Sequence, residues 1–271
     1  QGEIVIPASV QFIGNDVFRW CKALERVVFA PTANVELGVY IFSQCSNLWS
    51  VTLPRNLQSI PIGFFENCTS LTNIRIPVSV TQFGEAAFCG SGLSCMQIVD
   101  NDGIVAHHHP DVMPGTIMLP PNLRTIPNEC FENCKSIAHV QIPESVEEIE
   151  EDSFCGSSLQ SIVISENVHH IRWMAFQNCS FLERVTIHSS NNLTMADNIF
   201  ANCPALSVIK MYPWMWPKLF ASMNEYPDFI LKFCRHYQTQ IFDFETPDVS
   251  ARLFRRLRRD RKRTATMMDD G

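Results

Sequence analysis

Eleven cysteines in 271 residues raise three chemistries at once: disulfides, a zinc site and a thiol nucleophile. Six of them (Cys21, Cys45, Cys68, Cys134, Cys179 and Cys203) each stand three residues after a Phe, and Cys89 and Cys155 follow Phe88 and Phe154 directly. A thiol repeated at one position of a recurring pattern behaves as a small core residue. The spacing therefore predicts a column of buried thiols, with Cys89 and Cys155 filling it in a variant unit. Stacked neighbours about 4.7–4.9 Å apart would approach bonding distance, so geometry alone leaves disulfides open. An odd count and a column without a pairing rule favour reduced thiols, and reduced thiols favour an intracellular setting, cytoplasmic or nuclear. An extracellular setting would need an upstream signal peptide and oxidised cysteines. No C-x-x-C pair occurs, and Cys130-x-x-x-Cys134 has one member in the column, so no zinc site is expected.

Other polar clusters fare no better as catalysts. His107, His108, His109 and Asp111 form the most conspicuous one. In an extended segment only His107, His109 and Asp111 could share a metal, and a protruding loop is the simpler expectation. Glu147, Glu148, Glu150, Glu151 and Asp152 place five carboxyls on one short stretch. Acid–base work needs two carboxyls in differing environments across a cleft; a solvated acidic patch needs only exposure. There is no G-x-x-x-x-G-K, H-E-x-x-H or G-x-S-x-G. The chain is expected not to be an enzyme, and no cofactor is implied.

What positions these residues is a repeat. Units begin at Ile6-Pro7, Phe29, Leu53-Pro54, Ile76-Pro77, Leu119-Pro120, Ile142-Pro143, Ile164 and Ile187 and close at Met211, at intervals of 22–24 residues except for the 43 from Ile76 to Leu119, which is two units across a break. The shared pattern is I-P-x-x-V-x-x-I-x-x-x-x-F-x-x-C-x-x-L-x-x-I-x-I. Its alternating end predicts a short strand with one buried face, and the Pro after it should end the ladder. V-x-x-I predicts a second short extended segment. No single unit can cover its own apolar residues, so neighbours must stack into a solenoid.

The composition agrees: 46% apolar and 18% charged residues suit a sizeable core. No apolar run approaches the roughly 18 residues of a membrane span. Residues 99–118 keep the spacing but lose the apolar signature, a degenerate or looped unit. Gln1 in place of Met and the strand-like Glu3-Ile4-Val5-Ile6 lead to the expectation that the array is truncated at its start.

The recurring unit resembles the BspA-like class of leucine-rich repeats over residues 3–211. That resemblance implies a mainly β, right-handed solenoid of about eight to nine coils, used for protein binding and surface recognition. It carries no catalytic residues.

In such a solenoid the x positions of L-x-x-I-x-I face outward in rows. Arg26, Trp49, Thr52, Asn73, Arg75 and Arg184 are the candidate partner-binding residues, because exposed Trp and Arg dominate interface energetics. Trp49 is the central one, flanked by Arg26 and Arg75, unless it covers a neighbouring coil. After Pro213 the repeat stops. Trp214, Trp216, Leu219, Phe220 and Met223, then Phe229, Ile230, Phe233 and Tyr237, predict two short amphipathic helices, a cap over 212–245. Residues 246–271 read as a basic helical or disordered tail, with Arg255, Arg256, Arg258, Arg259, Arg261, Lys262 and Arg263 in one run. Residues 251–271 hold eight basic and three acidic residues, against 13 basic and 25 acidic in the first 250. The tail suits nuclear import, an RNA contact, an acidic membrane surface or plain solvation. The sequons Asn67-Cys68-Thr69, Asn178-Cys179-Ser180 and Asn192-Leu193-Thr194 are present, the first two as by-products of the repeat. The main expectation is a non-enzymatic scaffold binding a protein. The alternatives are a nucleic-acid-associated protein using 252–263 and a fragment of a cell-surface adhesin-like protein.

Overall fold

The structure, a computed structural model, describes residues 2–100, 102–105, 115–188 and 192–211, with Met215 and Leu219. Eighteen strands follow one another: β1 (Glu3–Ile6), β2 (Phe12–Ile13), β3 (Arg26–Phe29), β4 (Glu36–Leu37), β5 (Ser50–Thr52), β6 (Ser59–Ile60), β7 (Asn73–Pro77), β8 (Gln82–Phe83), β9 (Cys95–Val99), β10 (Thr116–Met118), β11 (Thr125–Ile126), β12 (His139–Gln141), β13 (Glu148–Ile149), β14 (Ser161–Ile164), β15 (His170–Ile171), β16 (Arg184–Ile187), β17 (Thr194–Met195) and β18 (Val208–Lys210). Every ladder between them is parallel, each strand pairing with its counterpart one coil away. The result is a parallel β-solenoid of about eight turns.

One row, the face, contains β1, β3, β5, β7, β9, β10, β12, β14, β16 and β18. It forms a three-stranded and a seven-stranded sheet, interrupted between β5 and β7. Its strands alternate as expected: in β7, Asn73 and Arg75 are exposed while Ile74 and Ile76 are buried. Pro77 departs from expectation. It stays in register opposite Val99, and the ladder continues because the next residue, Val78, donates its N–H to the Val99 carbonyl at 2.8 Å.

The V-x-x-I segments make the second row, in three pieces: β2–β4, β6–β8 and β11–β13–β15–β17. Where that row is continuous, the residue after each short strand donates its N–H to the coil before, as Gly84 does to Ile60, Glu150 to Ile126 and Arg172 to Ile149. Pro61 and Pro127 occupy that position in their coils. Proline has no N–H to give, and both breaks in the row fall there.

The F-x-x-C segment makes the return. Eight phenylalanines (18, 42, 65, 88, 131, 154, 176 and 200) stack as one column, with ring centroids 5.3–6.0 Å apart and neighbouring planes within 26° of parallel. Each return bends through two left-handed residues, one two places before the Phe and one two places after. Phe131, for example, lies between Glu129 (φ 56°) and Asn133 (φ 56°). Asn is among the few residues that tolerate this region, which explains the Asn-Cys pairs of the pattern. Gly63 is required at one such site (φ 57°), because a Cβ there would lie 2.1 Å from Cδ1 of the Tyr40 ring.

The eroded unit is half present. β9 and β10 both join the face, paired through Met96 and Ile117. On the return side Phe88 stacks directly on Phe131 at 5.6 Å, so no ring comes from 99–118. Asp100 closes a small turn after β9, its Oδ1 accepting the N–H groups of Asp102 and Ile104 at 2.9 Å. His107, His108, His109 and Asp111 lie outside the described residues. So do the tail and the cap, apart from Met215 and Leu219, which are fully buried against the core. No helical element is present among the described residues, and the predicted cap helices are therefore not established.

Candidate partner-binding face

The thiols are structural. Cys45, Cys68, Cys134, Cys179 and Cys203 each direct an S–H at the carbonyl of the Phe one coil back, at 3.0–3.2 Å. A thiol is small enough for the column and supplies a second donor to carbonyls that already accept a backbone N–H in their own coil, as Phe18 does from Cys21 and Phe88 from Ser91. One expectation is corrected here. In the variant units the column position belongs to Ser91 and Ser157, not to Cys89 and Cys155. Ser91 Oγ lies 3.6 Å from Cys134 Sγ, and Ser157 Oγ lies 3.4 Å from Cys179 Sγ. A hydroxyl fits the same space and meets the thiol of the next coil. All ten described cysteines are free thiols. Burial pushes Cys45 up to about 11 and Cys134 up to about 12. Since only the thiolate attacks, these groups should stay silent toward Ellman's reagent at pH 8 until denaturant is added; rapid labelling of Cys45 or Cys134 in the folded protein would contradict the column.

The acidic run is split by the fold. Glu147 meets Arg124 at 2.5 Å, Glu148 pairs with Arg172, and Glu150 accepts the Asn128 N–H at 3.0 Å. Burial first, then neighbouring carboxylates, raise Glu150 and Glu132 above the ordinary carboxylate range. A carboxyl raised on folding favours the native state while protonated and weakens it as pH rises through its unfolded and folded values. Glu132→Gln and Glu150→Gln should therefore raise the melting temperature at pH 7 and change it little near pH 3. Equal shifts at both pH values would refute this.

On the face, Trp49 lies just ahead of β5 and is 56% exposed. Its N–H is fixed by the Glu25 carbonyl at 3.0 Å. Arg26 is in register with Ser50, beside Trp49, and its guanidinium reaches Glu3 at 3.5 Å. Thr52, Asn73 and Arg75 are exposed on β5 and β7. Because the sheet is interrupted there, no ladder holds Trp49 and Arg75 in a common register. Arg184 is exposed on β16 but six strands from β5, about 29 Å at ordinary strand spacing. The structure thus gathers five of the six candidates and leaves Arg184 apart.

Sequence reasoning missed Trp20, which is 57% exposed off the face. It fills a left-handed return position (φ 63°) that later coils give to Gln, Asn or Gly, and that mismatch was readable in the repeat alignment. Asn67 and Asn178 occupy the same position, which accounts for two of the three sequons without glycosylation. Among the described residues, no group of three or more metal-capable side chains gathers, and no helix is long and apolar enough to cross a membrane.

With stacked coils, an outward strand row and a thiol–carbonyl column in place, comparison with known proteins is informative. A profile of the BspA type leucine rich repeat region matches residues 2–106 and 115–213 in six copies. The chain belongs to the BspA-type leucine-rich repeat family. No functionally curated protein matches it. Solved leucine-rich repeat structures do. One from Bacteroides ovatus is 19% identical over 78% of this chain and 69% of its own, with a TM-score of 0.40. A leucine rich cell surface protein from Faecalibacterium prausnitzii is 23% identical, covering 83% and 82%, at 0.38. One from Eubacterium ventriosum is 17% identical, covering 79% and 73%, at 0.43.

Proposed function

We propose that this BspA-type repeat protein is a non-enzymatic scaffold that binds another protein along its strand-lined face, centred on Trp49. The observation that carries this reading is an exposed Trp on a rigid, hydrogen-bonded strand row, next to exposed Arg26, Thr52, Asn73 and Arg75. Rigid aromatic and Arg anchors are where interface energy concentrates. Parallel ladders hold Arg26 and Thr52 beside Trp49 in one sheet, and Asn73 and Arg75 in the next, at little entropic cost within each, which favours binding over a mobile surface.

Affinity capture from native lysate at about 50 and 200 mM salt, analysed for protein and nucleic acid, tests it. A protein should be recovered at both salts, and Trp49→Ala should weaken that capture by roughly 30-fold, the scale of a 2 kcal/mol hot spot, with an unchanged melting curve. Unaltered capture by Trp49→Ala refutes the site. Nucleic acid recovered only at low salt, and lost when 251–271 is removed, favours the tail-borne alternative.

A further inference from the structure

The second strand row is broken between β8 and β11, and a groove of about 730 Å³ opens at that break. Ile62, Phe83 and Pro127 line it with apolar surface, and Glu85, Glu150 and Arg124 supply its charges. Arg124 is answered by Glu147 at 2.5 Å. Glu85 and Glu150 take part in no ion pair among the described residues, and neither does the nearby exposed Glu129. Carboxylates outweigh cations here: Glu150 is burdened by burial and then by Glu148 and Glu85, relieved only in part by Arg172, and Glu132 by burial and then by Glu129, relieved only in part by Lys135. A half-buried groove with uncompensated carboxylates selects a cationic segment that also carries some apolar surface.

The chain contains one such segment, Arg255-Arg256-Leu257-Arg258-Arg259-Asp260-Arg261-Lys262-Arg263, with seven basic residues, one acidic and one Leu. We propose that this segment docks in the groove between β8 and β11, its basic side chains on Glu85 and Glu150. Reach is no obstacle. From β17 back to β11 is three strand spacings, about 15 Å. The roughly 36 residues from Leu219 to Arg255 extend to about 100 Å or more. The strand-lined face stays open in this arrangement, so the proposal stands or falls separately from the Trp49 site.

Carbodiimide joins carboxylates directly to amines, and Lys262 supplies the amine of the segment. In the 271-residue chain at low salt, peptide mapping of the monomer should find Lys262 linked to Glu85, Glu129 or Glu150. The yield should fall several-fold at 500 mM salt, where the Debye length is only a few ångströms. A second measurement uses a labelled peptide of residues 252–264. The 271-residue variant Arg255→Glu, Arg256→Glu, Arg258→Glu, Arg259→Glu vacates the groove, so it should bind that peptide several-fold more tightly than the unaltered chain. Adding Glu85→Gln and Glu150→Gln should abolish the gain without lowering the melting temperature. Links scattered over remote carboxylates, links only between two chains, or equal peptide binding by all three proteins would each overturn the proposal.

Discussion

Phe131→Ala is expected to destabilise the protein by about 3–5 kcal/mol, the largest effect of any single substitution in the column. The ring is fully buried and stacked on both sides, 5.6 Å from Phe88 and 5.3 Å from Phe154, with Phe83 edge-on at 6.3 Å. Truncation removes the transfer energy of the ring, leaves a cavity that rigid coils cannot collapse into, and forfeits aromatic pairing worth about 0.5–1.5 kcal/mol per contact. The position matters as much as the residue. Phe131 provides the interior contact that spans the missing wall of 99–118, where the second row has no ladder to help. A solenoid is stable through its nearest-neighbour interfaces. Urea unfolding of Phe131→Ala should therefore separate into two transitions, one for each side of the break. A single cooperative transition with a loss under 1 kcal/mol would show that the two halves are held by something else.

Gly92→Ala is expected to cost at least 1–3 kcal/mol, although it adds only a methyl group. A Cβ at residue 92 would lie 2.1 Å from the Thr69 carbonyl oxygen and 3.0 Å from its carbon, backbone atoms that cannot rotate away. The turn Ser91-Gly92-Leu93 is one residue shorter than Cys68-Thr69-Ser70-Leu71 in the coil before, so the chain must run closer to its neighbour. The Gly92 N–H holds it there, donating to the Cys68 carbonyl at 3.2 Å. Gly14→Ala is the control, because its added carbon would have nothing nearer than 3.6 Å. Thermal denaturation of the pair should show a clear drop for the first and little change for the second. Similar drops would assign the loss to glycine flexibility and not to the close approach.

Much of this was legible in the sequence because a solenoid repeats its instructions. Ile74 and Ile76 inward with Asn73 and Arg75 outward follow directly from L-x-x-I-x-I, and the exposure of Trp49 follows from the same alternation. Three features were not legible. Ser91 and Ser157 replace the thiols because the position takes a small group able to hydrogen-bond to the thiol of the next coil, and apolar patterning cannot see that requirement. Pro61 and Pro127 interrupt the second row because the donor position is defined only once coils are in register. Arg184 was grouped with Trp49 because a repeat alignment shows which row a residue joins but not how far along the row it stands.

The half-present unit at 99–118 has a mechanical meaning. β9 adds a layer to the face, yet that layer ends inside the stack, since Phe88 and Phe131 close over it on the far side. In a crystal, a plane that terminates within the lattice is an edge dislocation, and slip starts at its tip. The tip here coincides with the unladdered step from β8 to β11. Pulled from its two ends, the rod should yield at that step first, giving way between residues 98 and 117 while the turns on either side keep their registry.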